Sequence, residues 1–207
     1  MSQEPKVFLF IDGTNVYSSQ LDLFKFKKYL DFAKLIETIE TKLKIKFDQI
    51  FFYASYSPRI NKKLNNIYIN EALFYKNVKQ IKNLTFFKGY RSPTSGKKKE
   101  VDVKLTVDLV KNCILKQCGN VYLMTGDADF LQALFAIKNY QNKINLICLP
   151  NKVMHKGAYY FQTNIINFTD INCHYKPIKG QKIKIIDLEA KNLVINIKKS
   201  PKCKHLG

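Results

Sequence analysis

Apolar and polar positions divide the chain into alternating strands and helices. Val7-Phe8-Leu9-Phe10-Ile11 is an unbroken apolar run closed by Asp12-Gly13-Thr14-Asn15. Val121-Tyr122-Leu123-Met124 is a second, closed by Thr125-Gly126-Asp127-Ala128-Asp129 before Phe130. Runs of this kind predict strands buried on both faces of a parallel sheet. Gln49–Tyr56, Thr85–Tyr90 and Ile144–Leu149 supply three more strands. Between them Leu30–Leu43, Ile60–Asn77, Val101–Gln117 and a segment from Asp129 or Phe130 to about Asn139 repeat apolar residues at helical spacing. A short helix or turn is expected after the first strand.

Strands alternating with helices make right-handed βαβ units, so the fold class is α/β with a mainly parallel sheet of about five strands. A sheet order of 3-2-1-4-5 makes the first and fourth strands neighbours at a point where the chain reverses direction. Ligands of such sheets bind in that crevice, beyond the carboxyl ends of the strands. Asp12 and Asp127 would then face one another across it. After Pro150 the pattern weakens. Met154–Phe161 suggests a short helix and Ile165–Phe168 an edge strand. Lys182–Ile186 and Leu193–Ile197 suggest a small hairpin, the alternative being a basic tail. The expected division is a domain over residues 1–170 and a basic extension over 171–207.

Charge changes this picture. The chain has 207 residues, is 46% apolar, and carries a net charge of +19, so a sizeable core coexists with an anion-attracting surface. The extension alone has nine lysines against two acids, Asp187 and Glu189. Nucleic acid rewards this balance through counterion release, whereas base composition of the coding DNA is the bland explanation. A membrane partner is disfavoured because no stretch approaches ~20 continuous apolar residues. Nor does the N-terminus resemble a signal peptide, so a cytoplasmic location is expected. Five cysteines, an odd number in no Cys-x-x-Cys spacing, are read as reduced thiols. Cys173-His174 and Cys203-x-His205 match no standard zinc spacing.

Against the basic background, Asp12, Asp102, Asp127 and Asp129 sit at element ends beside apolar runs. Converging carboxylates repel one another and invite protonation, cations or a divalent metal. Mg²⁺ and Mn²⁺ prefer oxygen ligands. Each acid also has a structural reading: Asp12-Gly13 as a turn, Asp127 and Asp129 as cap and first-turn acids, Asp102 as a helix-dipole partner. Capping does not require Asn15, or a matching acid after the first strand. Asp108 lies about 600° around the helix from Asp102 and is spaced to pair with Lys104. It is therefore expected to support the site rather than bind the ion.

Together, Asp12-Gly-Thr-Asn15, Lys99-Glu-Val-Asp102 with Leu105 and Asp108, and Thr125-Gly-Asp127-Ala-Asp129-Phe130 resemble the NYN domain, also called LabA-like or DUF88, within the PIN-like nucleases. The likeness spans roughly Lys6 to Phe168. It implies a Rossmann-like three-layer α/β/α fold and Mg²⁺- or Mn²⁺-dependent RNA cleavage. It matches Asp12, Asp102 and Asp127 to the family's metal-binding acids, with Asp129 a fourth, and Asn15 to a polar residue that positions substrate or an acid. Thr125 stands where Ser is frequent, and Glu100 where Gly is common.

The resulting expectation is a ribonuclease in which a divalent ion activates water for in-line attack at phosphorus, leaving a 5′-phosphate and a 3′-hydroxyl. Lys97, Lys98, Lys99, Arg59, Arg91 and Thr125 are the substrate-side candidates, and Tyr56 and Tyr90 can stack on unpaired bases. The alternative is an RNA-binding or regulatory module that cleaves poorly. Thr14 argues against a haloacid-dehalogenase phosphotransferase, which needs a second acid at that position. A dehydrogenase lacks its Gly-x-Gly-x-x-Gly turn here. Self-association is left open.

Overall fold

The structure is a computed structural model, and it describes residues 4–24, 28–55, 65–90, 100–137, 140, 143–148, 183–187 and 194–196. Its elements run β1 (Val7–Asp12), α1 (Gly13–Phe24), β2 (Lys28–Leu30), α2 (Phe32–Leu43), β3 (Gln49–Ser55), α3 (Asn65–Val78), β4 (Leu84–Gly89), α4 (Val101–Ile114), β5 (Asn120–Met124), a 3₁₀ turn (Ala128–Phe130), α5 (Leu131–Ile137), β6 (Lys143–Cys148), β7 (Ile183–Asp187) and β8 (Val194–Asn196).

The main sheet has the order β4-β3-β1-β5-β6-β7, and all its pairings are parallel. The five expected strands hold the 3-2-1-4-5 order, and β7 adds a sixth at the edge. β1 lies at the centre, with Phe10 in register with Phe51 of β3 and Leu123 of β5. Its side chains alternate between the two faces. Leu9 and Ile11 join Tyr17, Leu35, Ile39, Phe74 and Tyr75, on the side of α1, α2 and α3. Phe8 and Phe10 join Val101, Leu105, Leu109, Leu134 and Ile137, on the side of α4 and α5. Two cores, one per face, make the three-layer α/β/α arrangement.

Several boundaries differ from the sequence pattern for local reasons. The turn or short helix expected after β1 is a 12-residue helix. Leu30, expected in the next helix, instead ends β2, because Asp31 caps α2 by accepting from the Lys34 N–H at 3.2 Å. α4 stops at Ile114 rather than Gln117, where Lys116 takes a left-handed conformation with φ 53°. The first residues of the expected fourth helix form the 3₁₀ turn. The two strands expected as one hairpin do form, but apart: β7 pairs parallel with β6, and β8 antiparallel with β2. Ladder bonds to an existing strand replace a free-standing hairpin, which is marginal in water. The helix and edge strand expected at 154–161 and 165–168 lie outside the described residues.

Candidate active site

Asp12 is the last residue of β1 and is only 3% exposed. The turn from β1 into α1 is immediate, which places the carboxylate at the start of that helix. Its Oδ1 accepts from the Asn15 N–H at 3.0 Å, and its Oδ2 from the Thr125 hydroxyl at 3.0 Å. The intervening Gly13 is required by packing. A Cβ there would stand 2.0 Å from Cε1 of Phe52, a ring buried and stacked on Phe86.

The loop after β5 is tied to β1 by a chain of short bonds. Asn15 Oδ1 accepts from the Gly126 N–H at 2.8 Å. Thr125 Oγ1 accepts from the Asp127 N–H at 3.0 Å while donating to Asp12. Asp127 Oδ1 in turn accepts from the Asp129 N–H at 3.0 Å. These bonds hold the two acidic signatures together across the β1–β5 switch point. Asn15 and Thr125 thus act here as orienting groups for Asp12 and its neighbouring loop.

Burial pushes the Asp12 carboxyl up to about 6. The Asn15 and Thr125 hydrogen bonds act downward, and the charges of Asp102 and Asp127 act upward. The fold therefore brings three aspartates from β1, α4 and the β5 loop within electrostatic reach of one another. Asp102 is exposed on the first turn of α4, Asp127 is half-buried, and Asp129 is exposed in the 3₁₀ turn. The donors are oxygens only, which suits a hard divalent cation. Among the described residues, no three His, Cys, Asp or Glu side chains lie close enough to hold one ion together.

Asp108 looks elsewhere. Its Oδ2 accepts from the Tyr53 hydroxyl at 2.8 Å, and its Oδ1 pairs with Lys104 Nζ at 2.6 Å. Tyr53 is the strand-register partner of Asp12. The sequence pattern passed Tyr53 over because an aromatic in an apolar run reads as core. Its position, late in β3 where that strand nears the carboxyl edge, was the available signal. Lys97, Lys98, Lys99, Arg59, Arg91 and Tyr56 lie outside the described residues. Tyr90 is described and is 53% exposed just past β4.

A parallel sheet with a buried aspartate at its switch point defines a Rossmann-like α/β/α domain with a crevice at the carboxyl edge. The chain belongs to the NYN domain family, whose profile matches residues 6–170, and the family places it in the PIN-like nuclease superfamily. A crystal structure of a protein of unknown function from Vibrio parahaemolyticus is similar in fold. Its TM-score is 0.53 at 17% identity, covering 72% of this chain and 85% of that one. Comparison with curated proteins finds no match. Among the described residues, no helix is long and apolar enough to cross a membrane.

Proposed function

We propose that the chain is a ribonuclease that hydrolyses RNA phosphodiester bonds with Mg²⁺ or Mn²⁺, acting in the cytoplasm. The observation that carries this reading is Asp12, buried at the switch point and within electrostatic reach of Asp102 and Asp127 in a chain of the NYN family. A carboxyl raised to about 6 by burial and like charge is one whose ionised form gains from an arriving cation.

Asp12 with Asp102 or Asp127 would hold the ion directly, and the other acids, Asp129 included, would reach it through its waters. When bound, a divalent cation offsets charge on the phosphoryl oxygens and makes water a better nucleophile. The protein's own part is orientation. Asn15 and Thr125 fix both oxygens of Asp12, and Thr125 and Asn15 together anchor the loop that carries Asp127. Burial raises the Asp12 carboxyl to about 6, and a bound cation would favour its ionised form. Acids spread over three separate segments fit an ion that keeps several waters, as Mg²⁺ usually does. The net charge of +19 supports a polyanionic partner, with Lys97, Lys98, Lys99, Arg59 and Arg91 as candidate phosphate contacts. Residues 1–170 would form the nuclease domain and 171–207 a basic extension, tied to the sheet through β7.

The test is cleavage of single-stranded RNA by purified protein with Mn²⁺. Loss of cleavage on adding EDTA and in Asp127→Asn is expected; cleavage indifferent to both would overturn the mechanism. A second reading, a non-cleaving RNA-binding module, is favoured by the lack of a closed three-acid cluster among the described residues. Salt-dependent RNA binding without metal-dependent turnover would support it instead.

A further inference from the structure

Three polar side chains beside the acidic cluster are bonded in series: Tyr53, Asp108 and Lys104. We propose that Lys104 is an RNA phosphate contact, and that Asp108 and Tyr53 are positioning residues that hold its ammonium at the carboxyl edge. This deepens the ribonuclease reading and rests on it.

Tyr53 is 1% exposed and sits directly across from Asp12 in the β1–β3 register. Burial, then its bond to Asp108, pushes the phenol well above its usual range, so the hydroxyl stays a donor at any working pH. It donates a hydrogen bond to Asp108 Oδ2 at 2.8 Å. The carboxylate's other oxygen takes Lys104 Nζ at 2.6 Å. Asn112 Nδ2 donates to the Asp108 carbonyl at 2.7 Å, which braces the same turn of α4. Asp108 is thus fixed from two sides before Lys104 meets it.

Lys104 lies on the first turn of α4, two residues past Asp102, the aspartate that is electrostatically coupled to Asp12. Its ammonium also stands 5.9 Å from the centre of the Phe87 ring on β4. A lysine tethered only for stability needs one partner and gains little from it at a surface. Here the side chain remains 44% exposed. An ammonium carries three donors, and Asp108 uses one. Among the described residues no other hydrogen-bond acceptor takes the rest, which are open to a phosphate oxygen of a strand lying across the β1, β3 and β4 ends. The acids draw the cation for chemistry, while this tethered ammonium offsets charge on the RNA backbone.

Fluorescence anisotropy of a labelled single-stranded RNA in EDTA separates binding from turnover. Removing a single phosphate-binding cation should lower the slope of log Kd against log salt by about 0.7. Lys104→Met and Lys104→Gln should both show that drop, with Kd weakened several-fold at low salt, while Lys104→Arg keeps the wild-type slope. Tyr53→Phe should raise KM in Mn²⁺ with kcat little changed and the salt slope intact. Circular dichroism and urea midpoints check that each variant folds. An unchanged slope in both Lys104→Met and Lys104→Gln would overturn the proposal, as would an effect confined to kcat. If the wild-type chain neither binds RNA in EDTA nor cleaves it with Mn²⁺, the ribonuclease reading falls as well; if it cleaves and only the Lys104 variants are silent, that reading stands.

Discussion

The two edges of the parallel sheet both carry carboxylates that accept from backbone N–H groups, and they differ in burial and in neighbouring charge. At the amino edge Asp48 Oδ2 accepts from the Val7 N–H at 2.7 Å, joining β1 to the start of β3. Glu40 Oε1 accepts from the Phe47 N–H at 2.8 Å, and its Oε2 pairs with Lys46 at 3.0 Å. Each acid there satisfies a backbone donor, and Glu40 has a cation as well. At the carboxyl edge Asp12 is buried, and two more aspartates raise its pKa further. Among the described residues, no lysine or arginine pairs with it. Asp12 has donors too, the Asn15 N–H and the Thr125 hydroxyl, so the difference lies in its burial and in the like charges around it. A carboxylate left buried among like charges marks a place where the fold forgoes stability for a ligand.

The largest effect expected at the carboxyl edge is on turnover. Asp12→Asn should reduce Mn²⁺-dependent RNA cleavage by on the order of 100-fold or more, read in a gel assay. The same substitution should stabilise the metal-free chain. The Asp12 pKa rises from 3.8 to about 6 on folding, so the folded chain holds the proton more tightly than the unfolded one. Its contribution is then most favourable below pH 3.8 and is lost as pH climbs through about 6, a loss of ~3 kcal/mol in order of magnitude. Urea unfolding at pH 7.5 should show Asp12→Asn above wild type, with the gap closing toward pH 4. A wild type that is more stable at pH 7.5 would place Asp12 with the amino-edge acids.

Gly13→Ala probes the strand-to-helix corner rather than the charge. Its Cβ meets a buried ring, so overpacking should cost about 1–3 kcal/mol, visible as a lower urea midpoint. Asp48→Ala is the amino-edge counterpart. It should cost about 1 kcal/mol and leave cleavage unchanged; a drop in turnover would break the contrast between the edges. The smallest change is expected from Glu100→Gly. Glu100 precedes α4 with φ 75°, a left-handed conformation that disfavours a side chain. Glycine there should gain up to about 1 kcal/mol, measured by thermal unfolding.

The fold was readable because its signals are local. Val7–Ile11 and Val121–Met124 are apolar without interruption, and only a strand buried on both faces needs that. The sheet order followed from chain direction and crossover handedness. The pairing of β7 and β8 was not readable, since alternation in Ile183–Asp187 says a strand exists but not which edge receives it. The glycine expected in place of Glu100 acquires a reason in the positive φ. At the site, acid positions were legible, but their partners were not. The bond from the Thr125 hydroxyl to Asp12 is invisible in the sequence and leaves Thr125 a substrate-side candidate, and Tyr53 reads as core until its oxygen is seen on Asp108. Hydrogen bonds spanning 113 and 55 residues leave no periodic trace in the sequence.

The central claim is that a divalent cation binds at the carboxyl edge. Anomalous scattering from a crystal soaked in Mn²⁺ tests it most directly. A peak within coordination distance of Asp12 and at least one of Asp102 and Asp127 is expected, and it should disappear in Asp12→Asn. A crystal with those side chains ordered and no peak between them would contradict it.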